Sequence, residues 1–255
     1  MEIVTFSGGE PLLHENLEYF VRSLQSATKQ RTVVTNGLLL DKRRLTSLRE
    51  AGVTKFRIGV DSLIQPHSRP SSAYPQARSI HEVVELLRSE QMHHELNVVL
   101  TEFNRNELPG LFRFCRDNQV SAKFFEHVKA MSAPRAAGVT RAEAQPYVPF
   151  GDFESALRLV LPDAVHSPPG VYDGANEFFN CGSFSIRYCR YLCTYGLCHL
   201  TGTRIDPRGF AYACLVGNGR FQISTEQSVQ ESARIIEEAV AAGCESSVPA
   251  NFAYA

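Results

Sequence analysis

Two groups of residues in this 255-residue chain have the types and spacing for chemistry. The first is a run of thiols: Cys181, Cys189, Cys193, Cys198 and Cys214 crowd together, while Cys115 and Cys244 stand alone. Thiolates are soft ligands, and in a reducing compartment such crowding favours a metal ion or an iron–sulfur cluster over disulfides. The second is a series of short polar segments, Ser7-Gly8-Gly9-Glu10-Pro11, Thr35-Asn36-Gly37 and Asp61-Ser62-Leu63, each closing an apolar run. Gly8 and Gly9 let the backbone turn sharply and approach a ligand, and Glu10 sets a carboxylate beside them, an arrangement suited to an ammonium group. Taken singly, each segment also reads as an ordinary turn or helix entry.

The elements that position these groups alternate. Strand-like runs at 2–6, 31–35, 55–60, 95–100 and 122–127 are separated by segments of helical period. Leu17, Phe20, Val21 and Leu24 form one apolar stripe; Leu45 and Leu48 form another, and Val83, Val84, Leu86 and Leu87 a third. Asn106 or Asn104 is placed to cap a fourth helix carrying Leu108, Leu111, Phe112 and Cys115, which assigns Cys115 to the core. Strands joined by helical crossovers lie parallel and present their ligands at the strand C-termini, where the polar segments fall. Asn97, in the middle of the fourth strand, either faces solvent or points inward, where it needs a partner that a ligand can supply.

The sequence therefore predicts an α/β protein built on a partial parallel (β/α)6 barrel over residues 1–130. A Pro-punctuated linker or cap with short helices near 141–145 and 152–159 is expected over 131–180, and a cysteine-rich extension of β-hairpin and helix over 181–255. Twenty-six basic and twenty-seven acidic side chains leave a net charge of −1, which offers no footprint for nucleic acid or an anionic membrane surface. The first residues lack a signal-peptide pattern and no run is long enough to cross a bilayer, so a cytoplasmic location is expected.

The order Thr5-Phe6-Ser7-Gly8-Gly9-Glu10-Pro11-Leu12, Val34-Thr35-Asn36-Gly37, Val60-Asp61-Ser62-Leu63, Asn97-Val98-Val99-Leu100 and Phe124-Phe125-Glu126 resembles the radical S-adenosylmethionine (radical SAM) superfamily. Within it, the likeness is to the GTP cyclase branch of molybdopterin biosynthesis and relatives with auxiliary clusters. It covers about residues 2–127 and resumes around 181–219. The resemblance implies that Gly8, Gly9 and Glu10 hold the methionine amino group of S-adenosylmethionine, and that Thr35, Ser62 and Asn97 help hold the rest. Asn104 and Glu126 also match family positions near the active face, with no specific task implied.

The family carries a C-x3-C-x2-C loop after its first barrel strand, whose thiolates bind a [4Fe–4S] cluster. Here the strand at 2–6 matches the family's second strand, and no such loop stands before the Gly-Gly-Glu segment. A partial barrel without its first strand, with an unpaired edge at strand 2–6 and unable to cleave the cofactor as given, is the expectation. A second [4Fe–4S] cluster is expected only in an intact form.

Residues 204–215 resemble the family's C-terminal half-hairpin that carries the last ligand of an auxiliary cluster. Cys198 and Cys214, with Cys189 or Cys193 as a third, are the ligands this implies for an auxiliary [4Fe–4S] cluster. The thiols themselves equally allow structural zinc, with His199 as a further ligand, or no metal. The cyclase pattern C-x2-C-x13-C is altered: fifteen residues separate Cys198 from Cys214, only Arg204 remains of an arginine run, and the final Gly-Gly is lacking, so GTP is a doubtful substrate. The expected function is radical SAM chemistry on a peptide or small metabolite, supplied with electrons by a flavodoxin or ferredoxin. The alternative is a non-catalytic scaffold that keeps the barrel and a structural metal site.

Overall fold

The computed structural model describes residues 3–63, 79–127, 146–168, 176–190, 203–212, 221–224 and 226–245. Its main sheet has eight strands in the order β1-β2-β3-β4-β5-β8-β7-β6. These are β1 (Ile3–Phe6), β2 (Gln30–Thr35), β3 (Lys55–Gly59), β4 (His93–Leu100), β5 (Ala122–Glu126), β6 (Val165–Ser167), β7 (Asn176–Asn180) and β8 (Ser185–Cys189). β1 through β5 pair in parallel and in sequence, and β8 continues the parallel set beside β5. β7 and β6 close that side, paired antiparallel. β1 ends the sheet with β2 as its neighbour among the described residues.

Local chemistry sets the crossover helices, α1 (Leu17–Ser23), α2 (Lys42–Ala51), α3 (Ile80–Ser89), α4 (Leu108–Asn118) and α5 (Phe150–Val160). Asp41 caps α2 by accepting from Arg44 N at 2.6 Å, and Ser79 with Glu82 forms a reciprocal capping box on α3. Pro109 in the first turn of α4 loses no bond the helix would use. Strand alternation then sorts the two sheet faces. Val33, Phe56, Ile58, Leu96, Val98, Phe124, Ile186 and Tyr188 are buried. On that face Phe124 meets Phe112 of α4 and Phe153 of α5, each at 5.2 Å between ring centroids.

The first five strands lie where the sequence places them, with β4 beginning earlier, at His93, and β5 ending at Glu126. The expected division at 130 and 180 is drawn differently by the structure. One compact unit comprises 1–127, 147–167 and 178–189; the other comprises 128–146, 168–177 and 190–255. The helix expected near 152–159 is α5; the span read as linker also supplies β6 and β7, and residues read as extension supply the sixth parallel strand, β8. Short strands interrupted by prolines carry little period-2 signal, and pairing with β5 makes β8 a strand. The predicted helix near 141–145 lies outside the described residues. In the second unit, β9 (Arg204–Ile205), β10 (Phe210–Tyr212) and β11 (Phe221–Gln222) form a small antiparallel sheet, followed by α6 (Val229–Glu245). No described helix is long and apolar enough to cross a membrane.

Candidate functional site

The polar segments singled out in the sequence follow β1, β2 and β3 at their C-terminal ends, and most of their side chains are committed to one another. Glu10 accepts from Leu12 N at 3.0 Å, from the Thr35 hydroxyl at 2.6 Å and from Asn36 N at 2.9 Å. Its carboxylate therefore ties the β1 end to the β2 end and caps the 3-10 turn Pro11–Leu13, leaving about one acceptor position for an ammonium group. Thr35 donates to Glu10 and accepts from Gly37 N at 3.0 Å. Gly8 at φ +151° and Gly37 at φ +77° occupy backbone that side chains avoid, and a Cβ on Gly37 would stand 2.9 Å from Val83. Gly9 has no atom within 4 Å of where its Cβ would be, which leaves its backbone open to approach.

At the next strand ends, the Ser62 hydroxyl donates to the Glu107 carboxylate at 2.7 Å, and Leu63 N donates to the same group at 2.9 Å. Asn104, 2% exposed, accepts from Thr101 N and donates its amide to the carbonyls of Asp61 and Val99, at 2.8 to 2.9 Å. Instead of capping α4, Asn104 locks the end of β3 to the end of β4. Sequence reasoning gave Glu107 no role; an acid in the first turn after a strand-end Asn was the available signal.

Asn97 behaves differently. Its Oδ1 is buried and has no hydrogen-bond partner among the described residues. It stands in register with Gly59, which adds no side chain beside it, and with Lys123 on the other flank. His127, after the end of β5 with its ring centroid 5.3 Å from that of Tyr147, likewise has a buried Nδ1 without a partner among the described residues. Unpaired buried polar atoms are costly, and each of these two keeps the capacity for one more hydrogen bond.

Below Asn97 on the same face of the sheet lies a charge cluster. Glu95 is 7% exposed and accepts from Lys55 at 2.8 Å, Arg57 at 2.7 Å and Lys123 at 2.7 Å. Burial opposes its ionisation, but the hydrogen bonds from Lys123 and Lys55 outweigh that and hold the carboxyl at about 2. Burial draws the Lys123 ammonium below its ordinary range, opposed by its bond to Glu95. Arg187 on β8 is in register with Lys123, with its guanidinium 4.3 Å from the Phe178 ring centroid.

Of the cysteines expected to bind metal, Cys193, Cys198 and Cys214 lie outside the described residues. Cys189 is buried at the end of β8, in register with Phe125, and burial pushes its thiol up to about 11. It belongs to the sheet. Cys115 is fully buried in α4, as expected of a core residue, with its thiol raised to about 12 by burial.

Residues 1–115 match the family model "Radical SAM superfamily". The chain belongs to the radical SAM superfamily. It is 30% identical over 233 residues to the GTP 3',8-cyclase of Aquifex aeolicus, covering 84% of this chain and 66% of that protein. With the GTP 3',8-cyclase of Chlorobaculum tepidum it shares 29% identity over 127 residues, 48% of this chain and 38% of that protein. The chain thus spans no more than about two thirds of these relatives' length. Its radical SAM fold superposes on Streptococcus suis SuiB bound to S-adenosylmethionine with a TM-score of 0.56 at 13% identity, covering 90% of this chain and 53% of that one. For anSMEcpe with bound AdoMet and Cp18Cys peptide the TM-score is 0.55 at 13% identity, covering 95% and 70%. The expected partial parallel barrel and its cyclase-like branch both stand on these likenesses.

Proposed function

We propose that this radical SAM chain binds S-adenosylmethionine across the C-terminal ends of β1 to β4 and belongs to an enzyme acting on a peptide or a small metabolite. The observation that carries the reading is the buried, unpartnered Oδ1 of Asn97 beside Gly59, at the level where the Glu10–Thr35 and Ser62–Glu107 links end. An acceptor there suits a donor such as a ribose hydroxyl or an amine. S-adenosylmethionine, when given an electron from a [4Fe–4S] cluster, supplies a 5′-deoxyadenosyl radical that abstracts hydrogen from substrate.

In this reading the chain's residues position and exclude. The Gly8-Gly9 backbone and the remaining acceptor position on Glu10 receive the methionine amino group, and Asn97 fixes the far end of the cofactor. Thr35 and Ser62 act through the loops they hold, since both hydroxyls already donate within the protein. Cys193, Cys198 and Cys214 are the proposed auxiliary-cluster ligands; the place of Cys189 in the sheet makes it the weakest of the four. The crowded thiols fit a cytoplasmic setting and a flavodoxin- or ferredoxin-type electron donor.

Calorimetric titration of S-adenosylmethionine into the chain tests the reading. Saturable binding that Asn97→Ala weakens about tenfold supports it; no binding, or an Asn97→Ala variant that binds equally well, overturns it. Iron and acid-labile sulfide after anaerobic reconstitution test the cysteines: about four irons per chain fit one cluster, and zinc alone refutes it.

A further inference from the structure

The charge cluster below Asn97 is unbalanced. Lys55, Arg57, Lys123 and Arg187 stand on one face of β3, β5 and β8, with Glu95 of β4 as the carboxylate among them. Three of these cations donate to Glu95. Arg187 does not: it rests on Phe178, and among the described residues its guanidinium has no hydrogen-bond acceptor. Among the described residues, four cations to one carboxylate, partly removed from water, leave an excess that a bound anion would relieve.

The geometry points to a carboxylate-binding subsite in which Arg187 is the anchor, Lys123 and Arg57 flank it, and Glu95 holds the flanking cations in place. We infer that the substrate carries a single carboxylate there. This rests on the proposed reading and deepens it by naming the substrate's chemical class. A guanidinium is planar and offers a two-pronged donor edge, which matches a carboxylate, and that of Arg187 has its carbon 4.3 Å from the Phe178 ring centroid. Glu95 also sets a limit: it takes one hydrogen bond from each of Lys55, Arg57 and Lys123 and stands beside the subsite, so the several negative charges of a triphosphate chain would meet a like charge there. The cluster lies wholly within the first compact unit, two residues along β4 from Asn97, on the side toward the strand N-termini. A substrate seated on it would extend along the sheet toward the proposed cofactor site.

Ligand-observed NMR on the full chain, at constant ionic strength and without S-adenosylmethionine, tests this with N-acetylglycine, methyl phosphate and inorganic triphosphate as probes. N-acetylglycine is expected to bind saturably in the millimolar range, tenfold more tightly than triphosphate, and to lose at least tenfold in Arg187→Gln. Arg187→Lys, which keeps the charge without the fork, is expected to lose several-fold. Glu95→Gln is expected to raise triphosphate binding about tenfold. Tighter binding of either phosphate to the unaltered chain, no saturable binding of N-acetylglycine, or a folded Arg187→Gln that binds it equally well would overturn the inference. Cofactor titration of Arg187→Gln separates this from the proposed function. Unchanged S-adenosylmethionine binding with lost N-acetylglycine binding supports the subsite. Loss of both, with altered circular dichroism, assigns Arg187 a structural role and overturns it.

Discussion

The strand-end loops and the sheet face that carries Asn97 and Glu95 use the same residue types to opposite ends. At the loops, Glu10, Thr35, Ser62 and Asn104 look from their types like ligand holders, yet their polar atoms meet one another, and the result is a frame joining β1 to β2 and β3 to β4. On the sheet face, Asn97 keeps a buried oxygen with no partner and Arg187 keeps a guanidinium with no acceptor among the described residues. Satisfied polar groups build the frame; in the proposed function the unsatisfied ones receive the ligands.

The largest expected effect breaks the face rather than the frame. Glu95→Gln removes the one anion that three cations share and leaves them uncompensated, at a cost of about 3 kcal/mol in urea unfolding at pH 7. The same residue gives the chain an acid dependence. The folded carboxyl is held at about 2 against an ordinary 4.5, so between these values the folded state binds fewer protons than the unfolded one. Stability from this residue is therefore full above about pH 4.5 and is lost as pH falls toward 2, worth about 3 kcal/mol in all. Denaturation followed from pH 6 to 2 should show this loss, and a Glu95→Gln curve equally steep there would contradict the assignment.

Asn104→Ala tests the frame. It removes three partly buried hydrogen bonds and strands the Thr101 amide, at about 2 to 3 kcal/mol. A loss under 0.5 kcal/mol would mean that water replaces the side chain and that the β3–β4 lock is dispensable. Glu10→Gln comes next, at about 1 kcal/mol, because an amide oxygen keeps some of the accepted bonds without the charge that strengthens them. If Glu10 acts mainly as frame, cofactor affinity and stability should fall together; an affinity loss of tenfold with unchanged stability would return it to direct ligand contact.

Much of the frame was legible in sequence. Alternating apolar runs located β1 to β5, and Gly8, Glu10, Thr35 and Ser62 fall at strand ends as expected, because period and turn chemistry are local properties. The sixth parallel strand was hidden: Ser185 to Cys189 carries one arginine and two polar or thiol positions, and only pairing with β5 selects it. The Glu95 cluster was hidden for the same reason. Lys55, Arg57, Glu95, Lys123 and Arg187 are spread over 133 residues of sequence and meet only through sheet register. Which partner each polar side chain takes is also a tertiary property, so Ser62 read as a ligand contact while its hydroxyl donates to Glu107.

The smallest effect on stability is the sharpest test of the comparison. Asn97→Ala deletes an oxygen that has no partner, so the folded chain loses no bond to it, and the change in stability is expected to stay within about 0.5 kcal/mol of zero. Affinity for S-adenosylmethionine is expected to fall about tenfold, because the cofactor then meets an apolar wall where it would have met an acceptor. Stability and binding separate at this position and move together at Glu10. A large loss of stability in Asn97→Ala would show that its amide is part of the frame, and the distinction between satisfied loops and an unsatisfied face would then fail at the residue that carries it.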